Sequence, residues 1–282
     1  MRPLAEVDAA EVARLAGVVF DLDDTLLDHG ELSEPAYGAL FRLREAGLRL
    51  VACTGRPAGW GEVLARQWPI DAVVVENGAI AFVVEPATAP TPASAGGPRT
   101  SSPRRVTVVD PLPPLARRAR RAVLLALAEE IVARFPEAAL ADDNDARRTD
   151  VTLDIGEHRR VGIETIRAIT ALARSRRVRT LVSSIHLHLT LETDDKASGT
   201  IRLLVEHFGE DATGARLRHA FVGDSANDAA AFAAFALTFG VQNVRAQLRG
   251  LTVPPRYVAS APMGLGFAAI AARLCAIRAP SG

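Results

Sequence analysis

Asp21-Leu22-Asp23-Asp24-Thr25 closes a short apolar run that begins at Val18. Asp21 and Asp23, two residues apart just past a strand end, can converge on one point, one to attack and the other to donate a proton. Acidic side chains at a strand's carboxyl end also make an oxygen-rich site suited to magnesium (Mg2+), although a solvated acidic turn has the same composition. Thr54-Gly55-Arg56 lies between a second apolar run and a helical pattern. A hydroxyl and free N–H groups at a helix N-terminus form a phosphate seat; an ordinary N-cap with a tight turn is the alternative. Gly223-Asp224-Ser225-Ala226-Asn227-Asp228 follows another apolar run. Asp224 and Asp228, four apart across a strand-to-helix turn, can add carboxylates to a metal site, while Ser and Asn are also good N-caps.

Lys196 is the only lysine among the 33 Lys and Arg residues. A compact ammonium can neutralise a phosphate and a nearby carboxylate together, which a wide guanidinium does less well. A surface lysine is the plain alternative, but in a chain whose bias runs to Arg and Ala the retained lysine stands out. Asparagine is also scarce, at Asn77, Asn144, Asn227 and Asn243.

These groups sit at the ends of predicted elements. Val18 to Asp21, Leu48 to Cys53 and Ala72 to Val75 read as buried strands, separated by helices over Glu34 to Ala46 and from Pro57 to about Gln67. That βαβαβ order implies a parallel sheet with right-handed crossovers. The pattern returns after Lys196, with a helix Gly199 to Phe208, a strand Ala220 to Val222, a helix Asp228 to Phe235, strands Leu237 to Val241 and Tyr257 to Ala259, and a closing helix Gly266 to Arg278. Between the two halves the pattern is different. Ala79 to Glu85 and Arg105 to Asp110 predict a hairpin around Pro86 to Pro103, a stretch rich in Pro, Ala, Ser, Thr and Gly that reads as a long mobile loop. Helices are predicted over Leu115 to Phe135 and Gly162 to Arg174, and strands over Asp150 to Ile155, Arg179 to Ser183 and Ile185 to Leu191. Alternation in these strands buries Val151, Leu153, Ile155, Leu187 and Leu189 against the two helices, and turns Thr152, Asp154, His186, His188 and Thr190 to the other face.

Composition bounds the function. With 282 residues, 49% of them hydrophobic, the chain can build more than one compact domain. Zero net charge gives no sign of a nucleic-acid or anionic-membrane partner. Two cysteines, Cys53 and Cys275, are too few for a disulfide framework or a zinc cluster. No signal peptide or spanning segment is apparent, so a cytoplasmic location is expected.

The four motifs, in this order, resemble those of the haloacid dehalogenase (HAD) superfamily: its DxDxT, its Thr-bearing second motif, its lysine and its GDxxND. The likeness covers roughly Gly17 to Asn77 and Thr193 to Phe267. It departs after Lys196, where Ala197-Ser198-Gly199 stands in place of an immediate Gly. The insertion resembles the type IIB (C2B) cap of Cof-like and sugar-phosphate phosphatases, and Glu76-Asn77-Gly78-Ala79 resembles the Asn-Gly junction where such caps begin. The implied fold class is α/β, a Rossmann-like parallel-sheet core over residues 1–79 and 193–282 with an inserted α+β cap over 80–192. The resemblance implies Asp21 as nucleophile and Asp23 as general acid and base. It implies a phosphate held by Thr54, Gly55, Lys196 and Asn227, and Mg2+ held by Asp21, the carbonyl of Asp23, Asp224 and Asp228. Arg56, Asn77, Asp154, His186 and His188 are candidates for contacting the rest of the substrate.

The expected function is therefore Mg2+-dependent hydrolysis of a small phosphorylated metabolite, a sugar phosphate first among them. A phosphomutase of the phosphomannomutase type, or a non-catalytic binding protein on the same fold, are the alternatives. Two further features carry weaker readings. Arg117, Arg118, Arg120 and Arg121 read as a solvated helix face. His186 and His188 lack a partner at metal-ligand spacing.

Overall fold

Val18, Val19 and Phe20 are fully buried. A strand this apolar needs cover on both faces, as in a parallel sheet between helix layers. The structure, a computed structural model that describes residues 1–85, 104–183 and 185–279, puts this strand at the middle of such a sheet. In chain order the strands are β1 (Arg2–Pro3), β2 (Gly17–Phe20), β3 (Arg49–Cys53), β4 (Ala72–Val75), β5 (Ile80–Val84), β6 (Val106–Val109), β7 (Ala139–Leu140), β8 (Asp150–Asp154), β9 (Arg179–Val182), β10 (His186–Thr190), β11 (His219–Gly223), β12 (Leu237–Gly240) and β13 (Tyr257–Val258). The nine-stranded sheet has the order β1-β13-β12-β11-β2-β3-β4-β5-β6. It is parallel from β1 through β4, and β5 and β6 add an antiparallel edge.

Alternation along β2 sends Val18 and Phe20 into an apolar cluster with Leu40 and Phe267, and Val19 into a second with Val51, Phe221 and Phe232. Helices Glu34–Glu45 and Met263–Arg278 cover the first side. Helix Lys196–Phe208 covers the other through Ala197, Ile201 and Leu204.

A second, antiparallel sheet has the order β7-β8-β10-β9. Val151, Leu153, Leu187 and Leu189 pack there with Leu124, Leu127 and Ile131 of helix Pro114–Arg134 and Ile169 of helix Ile163–Ser175.

Three expectations need correction. The hairpin β5–β6, read as the start of the insertion, pairs through β5 with β4 and so extends the large sheet. An antiparallel edge strand looks the same in sequence whichever sheet it joins. The spacing within Leu115 to Phe135 puts Leu115, Val123, Leu124, Leu127 and Ile131 on one apolar side, but in helix Pro114–Arg134 Leu115 and Val123 are exposed, and the buried stripe is Leu124, Leu127, Ala128 and Ile131. The arginine run on that helix is a solvated face only in part: Arg118 is exposed, but Arg117 is buried between Asp110 and Glu192, Arg120 also reaches Glu192, and Arg121 donates to the carbonyls of Asp150 and Asn144. The stretch Pro86 to Pro103 lies outside the described residues. No helix among the described residues is long and apolar enough to cross a membrane.

Candidate active site

β2 and β11 are parallel neighbours with Phe20 opposite Val222. The Asp21 N–H extends the ladder by one bond, donating to the Val222 carbonyl at 2.9 Å. Asp21 and Asp224 therefore leave adjacent strands at about the same level. Lys196 arrives from the first turn of its helix, which Asp195 caps in a reciprocal box with Ser198. The helix start packs so closely on the junction after β4 that a side chain at Gly199 would collide with the Gly78 backbone. Lys196 Nζ thereby lies 2.7 Å from Asp21 Oδ1 and 2.8 Å from Asp228 Oδ1. The other Asp228 oxygen accepts the N–H groups of Asp224 at 2.9 Å and Ser225 at 3.1 Å, which fixes the turn after β11.

Asp21, Asp224 and Asp228 each offer an oxygen within 4.8 Å of the others. All three are buried, and among the described residues Lys196 is the one cation hydrogen-bonded to them. Burial pushes the Asp21 carboxyl up to about 7, with Lys196 opposing and Asp228 and Asp23 adding. Burial, then Asp21 and Asp228, push Asp224 up to about 9. Burial works against the Lys196 charge, yet Asp21 and Asp228 together hold its ammonium well above the usual lysine range. Hard oxygen donors carrying more negative charge than one ammonium offsets fit a divalent cation.

Thr54 stands at the end of β3 and is buried; its hydroxyl accepts the Arg56 N–H at 3.1 Å. Glu76 and Asn77 back this turn from left-handed conformations, φ 49° and 56°, and donate their N–H groups to the carbonyls of Arg56 and Thr54. Asn77 Oδ1 accepts from Asn227 Nδ2 at 2.9 Å, which ties the turn after β4 to the turn after β11. A Cβ at Gly55 would stand 3.0 Å from Asn77 Oδ1, so the approach of this amide favours glycine there.

Asp23 is not part of the three-carboxylate group. Its half-exposed carboxylate accepts Arg56 Nε at 2.8 and 3.1 Å and Nη2 at 2.5 Å. The Arg56 guanidinium in turn lies 3.8 Å over the Trp60 ring.

The candidates on the second sheet are engaged elsewhere. Asp154 accepts the N–H groups of Gly156, Glu157 and His158. His186 pairs with Glu157 at 2.9 Å, and His188 Nδ1 lies 2.8 Å from Asp150. Among the described residues, no hydrogen bond or ion pair joins these three to Asp21, Asp224 or Lys196. Thr152, Asp154, His188 and Thr190 are buried, so the face that carries these substrate-contact candidates is closed. Its closure has a physical basis. Asp150 binds Arg147, whose Nη1 donates to the Gly55 carbonyl at 3.1 Å, and Glu76 accepts the N–H groups of Arg148 and Thr149.

Several contributors had no role in the sequence reading. Asn243 Nδ2 donates to Asp224 Oδ2 at 2.8 Å and to the Asp24 carbonyl at 2.9 Å. Thr25 Oγ1 donates to Asp224 Oδ1 at 3.2 Å. The scarcity of asparagine was the available signal for Asn243. Glu76 lies in the Asn-Gly junction motif, but nothing local marks its bonding role, and nothing marks Arg147.

Residues 18–88 match the model of a family described as haloacid dehalogenase-like hydrolase. No curated protein matches at the sequence level. Solved structures do. A Thermoplasma acidophilum protein, 0175, is 17% identical with a TM-score of 0.67, over 92% of this chain and 98% of that one. A haloacid dehalogenase-like hydrolase from Bacteroides thetaiotaomicron is 16% identical, TM-score 0.62, over 92% and 99%. The sucrose-phosphatase of Synechocystis sp. PCC6803 is 14% identical, TM-score 0.59, over 92% and 98%. At these identities the likeness is one of fold.

Proposed function

We propose that this chain, a haloacid dehalogenase-like hydrolase, is a Mg2+-dependent phosphatase that hydrolyses a small phosphorylated metabolite through an aspartyl-phosphate on Asp21. The observation that carries the proposal is the lone lysine. Its Nζ lies 2.7 Å from Asp21, at the end of the central strand, beside two further buried carboxylates.

Asp21 attacks phosphorus while the bond to the leaving oxygen breaks, and Asp23 gives that oxygen its proton. Asp23, now a carboxylate, takes a proton from water. The water oxygen attacks the same phosphorus, and Asp21 leaves as a free carboxylate with inorganic phosphate. Asp23 is the exposed member of the pair, as a group that must meet both alkoxide and water requires. Asp21 must be ionised to attack, and the Lys196 ammonium favours that form. Thr54 and Lys196 hold the phosphoryl oxygens, with Gly55 and Asn227 completing the turn around them. Asp21, Asp224 and Asp228, with the Asp23 carbonyl, would hold Mg2+, which supplies positive charge against the phosphoryl oxygens.

We take the unit built on the four-stranded sheet as the cap that selects the leaving group. The sucrose-phosphatase neighbour supports a sugar phosphate as the first substrate class to try. The deciding experiment is a phosphate-release screen over phosphorylated metabolites, with magnesium and with excess chelator. Release from a sugar phosphate that stops in chelator is expected. Isomerisation without release would replace the proposal with a mutase, and full activity in chelator would overturn the metal requirement.

A further inference from the structure

A cavity of about 480 Å3 opens where the end of β6 meets the first turns of helix Pro114–Arg134 and the Arg147–Arg148 segment. Asp21, Asp23, Thr54, Lys196 and Asp224 do not line it. Its size is that of a small-metabolite site, in which a few convergent polar groups stand over an apolar base. Val108, Leu112 and Pro114 form the apolar part.

The polar part is almost wholly cationic. Asp110 is the one carboxylate in the lining, and Arg117 takes it through Nε at 3.0 Å and Nη2 at 2.6 Å. Arg117 is further paired with Glu192, and Arg147 with Asp143 and Asp150. Arg118, Arg121 and Arg148 differ from these two. Among the described residues none of the three is ion-paired with a carboxylate. Arg121 donates only to backbone carbonyls, and Arg148 lies 5.7 Å from the centre of the Phe82 ring. The stretch Pro86 to Pro103, outside the described residues, holds no Asp or Glu in its sequence.

Three guanidinium groups facing one cavity repel one another until an anion enters. Their planar forks match the two oxygens of a phosphate or a carboxylate. We propose that this cavity is a second binding site, distinct from the catalytic one, for a small organic anion. Its phosphate or carboxylate head lies against Arg118, Arg121 and Arg148, and its compact apolar body covers Val108, Leu112 and Pro114.

The test is calorimetric titration of the full chain with phenylphosphonate and with benzoate, which share a ring and differ in the head. The comparison is with the R118Q/R148Q double variant. Both residues are exposed and, among the described residues, in no ion pair, so the fold should survive, as circular dichroism and Tm will check. The single Arg118→Gln and Arg148→Gln variants serve if the double variant does not fold. The catalytic residues are untouched, so binding of phenylphosphonate there persists in every variant. At least one of the two anions is expected to bind the wild type in an event that added salt weakens and the double variant weakens tenfold or more. The head that binds tighter identifies the ligand class. Absence of binding by both anions up to about 10 mM, or equal binding by wild type and variant, overturns the site.

Discussion

Thr149 gives both its backbone N–H and its hydroxyl to one oxygen, Oε2 of Glu76, at 2.6 and 2.5 Å. The other oxygen accepts the N–H groups of Ala58 at 2.8 Å and Arg148 at 2.9 Å. One buried carboxylate from the junction after β4 thus clasps the segment before β8 to the start of helix Ala58–Gln67. A glutamine at position 76 turns an amide N–H2 toward donors in either orientation. Glu76→Gln is expected to cost about 1–3 kcal/mol in urea unfolding, and Thr149→Val about 1 kcal/mol. Amide hydrogen exchange at Arg148 and Thr149 should quicken in both. Unchanged exchange there would show that the clasp does not hold the segment.

Asp21→Asn keeps the shape of the side chain and removes its nucleophilicity. The expected loss in turnover is at least about a thousandfold, near 4 kcal/mol of barrier. Near-normal phosphate release from a clean preparation would sink the aspartyl-phosphate mechanism.

Lys196 fills a site only 2% exposed, with a carboxylate on either side of its ammonium. Lys196→Arg keeps the charge but needs room for a planar fork. Turnover should fall about tenfold or more, on the order of 1.4 kcal/mol. A silent substitution would mean that the ammonium does not hold the phosphoryl group.

Asn243 touches no substrate in the proposed mechanism, yet it orients Asp224. Removing a group that positions a metal ligand typically costs about 10–100-fold in metal affinity. Asn243→Ala should shift magnesium activation to higher concentration by that factor, with turnover at saturating magnesium changed much less. Calcium should support activity poorly in either protein, because its larger and looser coordination shell misplaces the attacking carboxylate. An unshifted magnesium titration would remove Asn243 from the metal site.

His219 is buried at the start of β11, and among the described residues its Nε2 has no hydrogen-bond partner. Burial, partly offset by Glu210, lowers its pKa from 6.5 to about 4. Above 6.5 the ring is neutral whether the chain is folded or not, and it contributes no pH dependence. Between 6.5 and 4 the unfolded chain takes up a proton that the folded chain refuses, so stability falls as the pH falls. The slope from this group approaches about 1.4 kcal/mol per pH unit. His219→Gln should flatten the loss measured by urea unfolding between pH 7 and pH 5. Parallel curves for the two proteins would exclude His219 as the source.

The chemistry-bearing residues were legible because each motif is local. A strand that is apolar throughout must be buried, and the turn at its carboxyl end must point its side chains at whatever lies over the sheet. Hence Asp21, Thr54 and Asp224 could be assigned to strand ends from short stretches alone, whereas Lys196, ahead of a helix expected from Gly199, begins that helix in the structure. The alternation of Val151, Leu153, Leu187 and Leu189 likewise identified the buried face of the second sheet.

Tertiary structure alone decided who meets whom. Asp228 rather than solvent faces the second side of Lys196, Asn243 reaches back to Asp224, and Glu76 finds Thr149 across 73 residues. It also decided that β5 and β6 extend the large sheet, and that Arg117 pairs inside with Asp110 and Glu192 instead of lying in water. Periodicity reports which side of an element is apolar and nothing about its neighbour, since an edge strand's free N–H and C=O groups accept any partner. A buried ion pair likewise exists only where the fold brings opposite charges together, and no local pattern records that meeting.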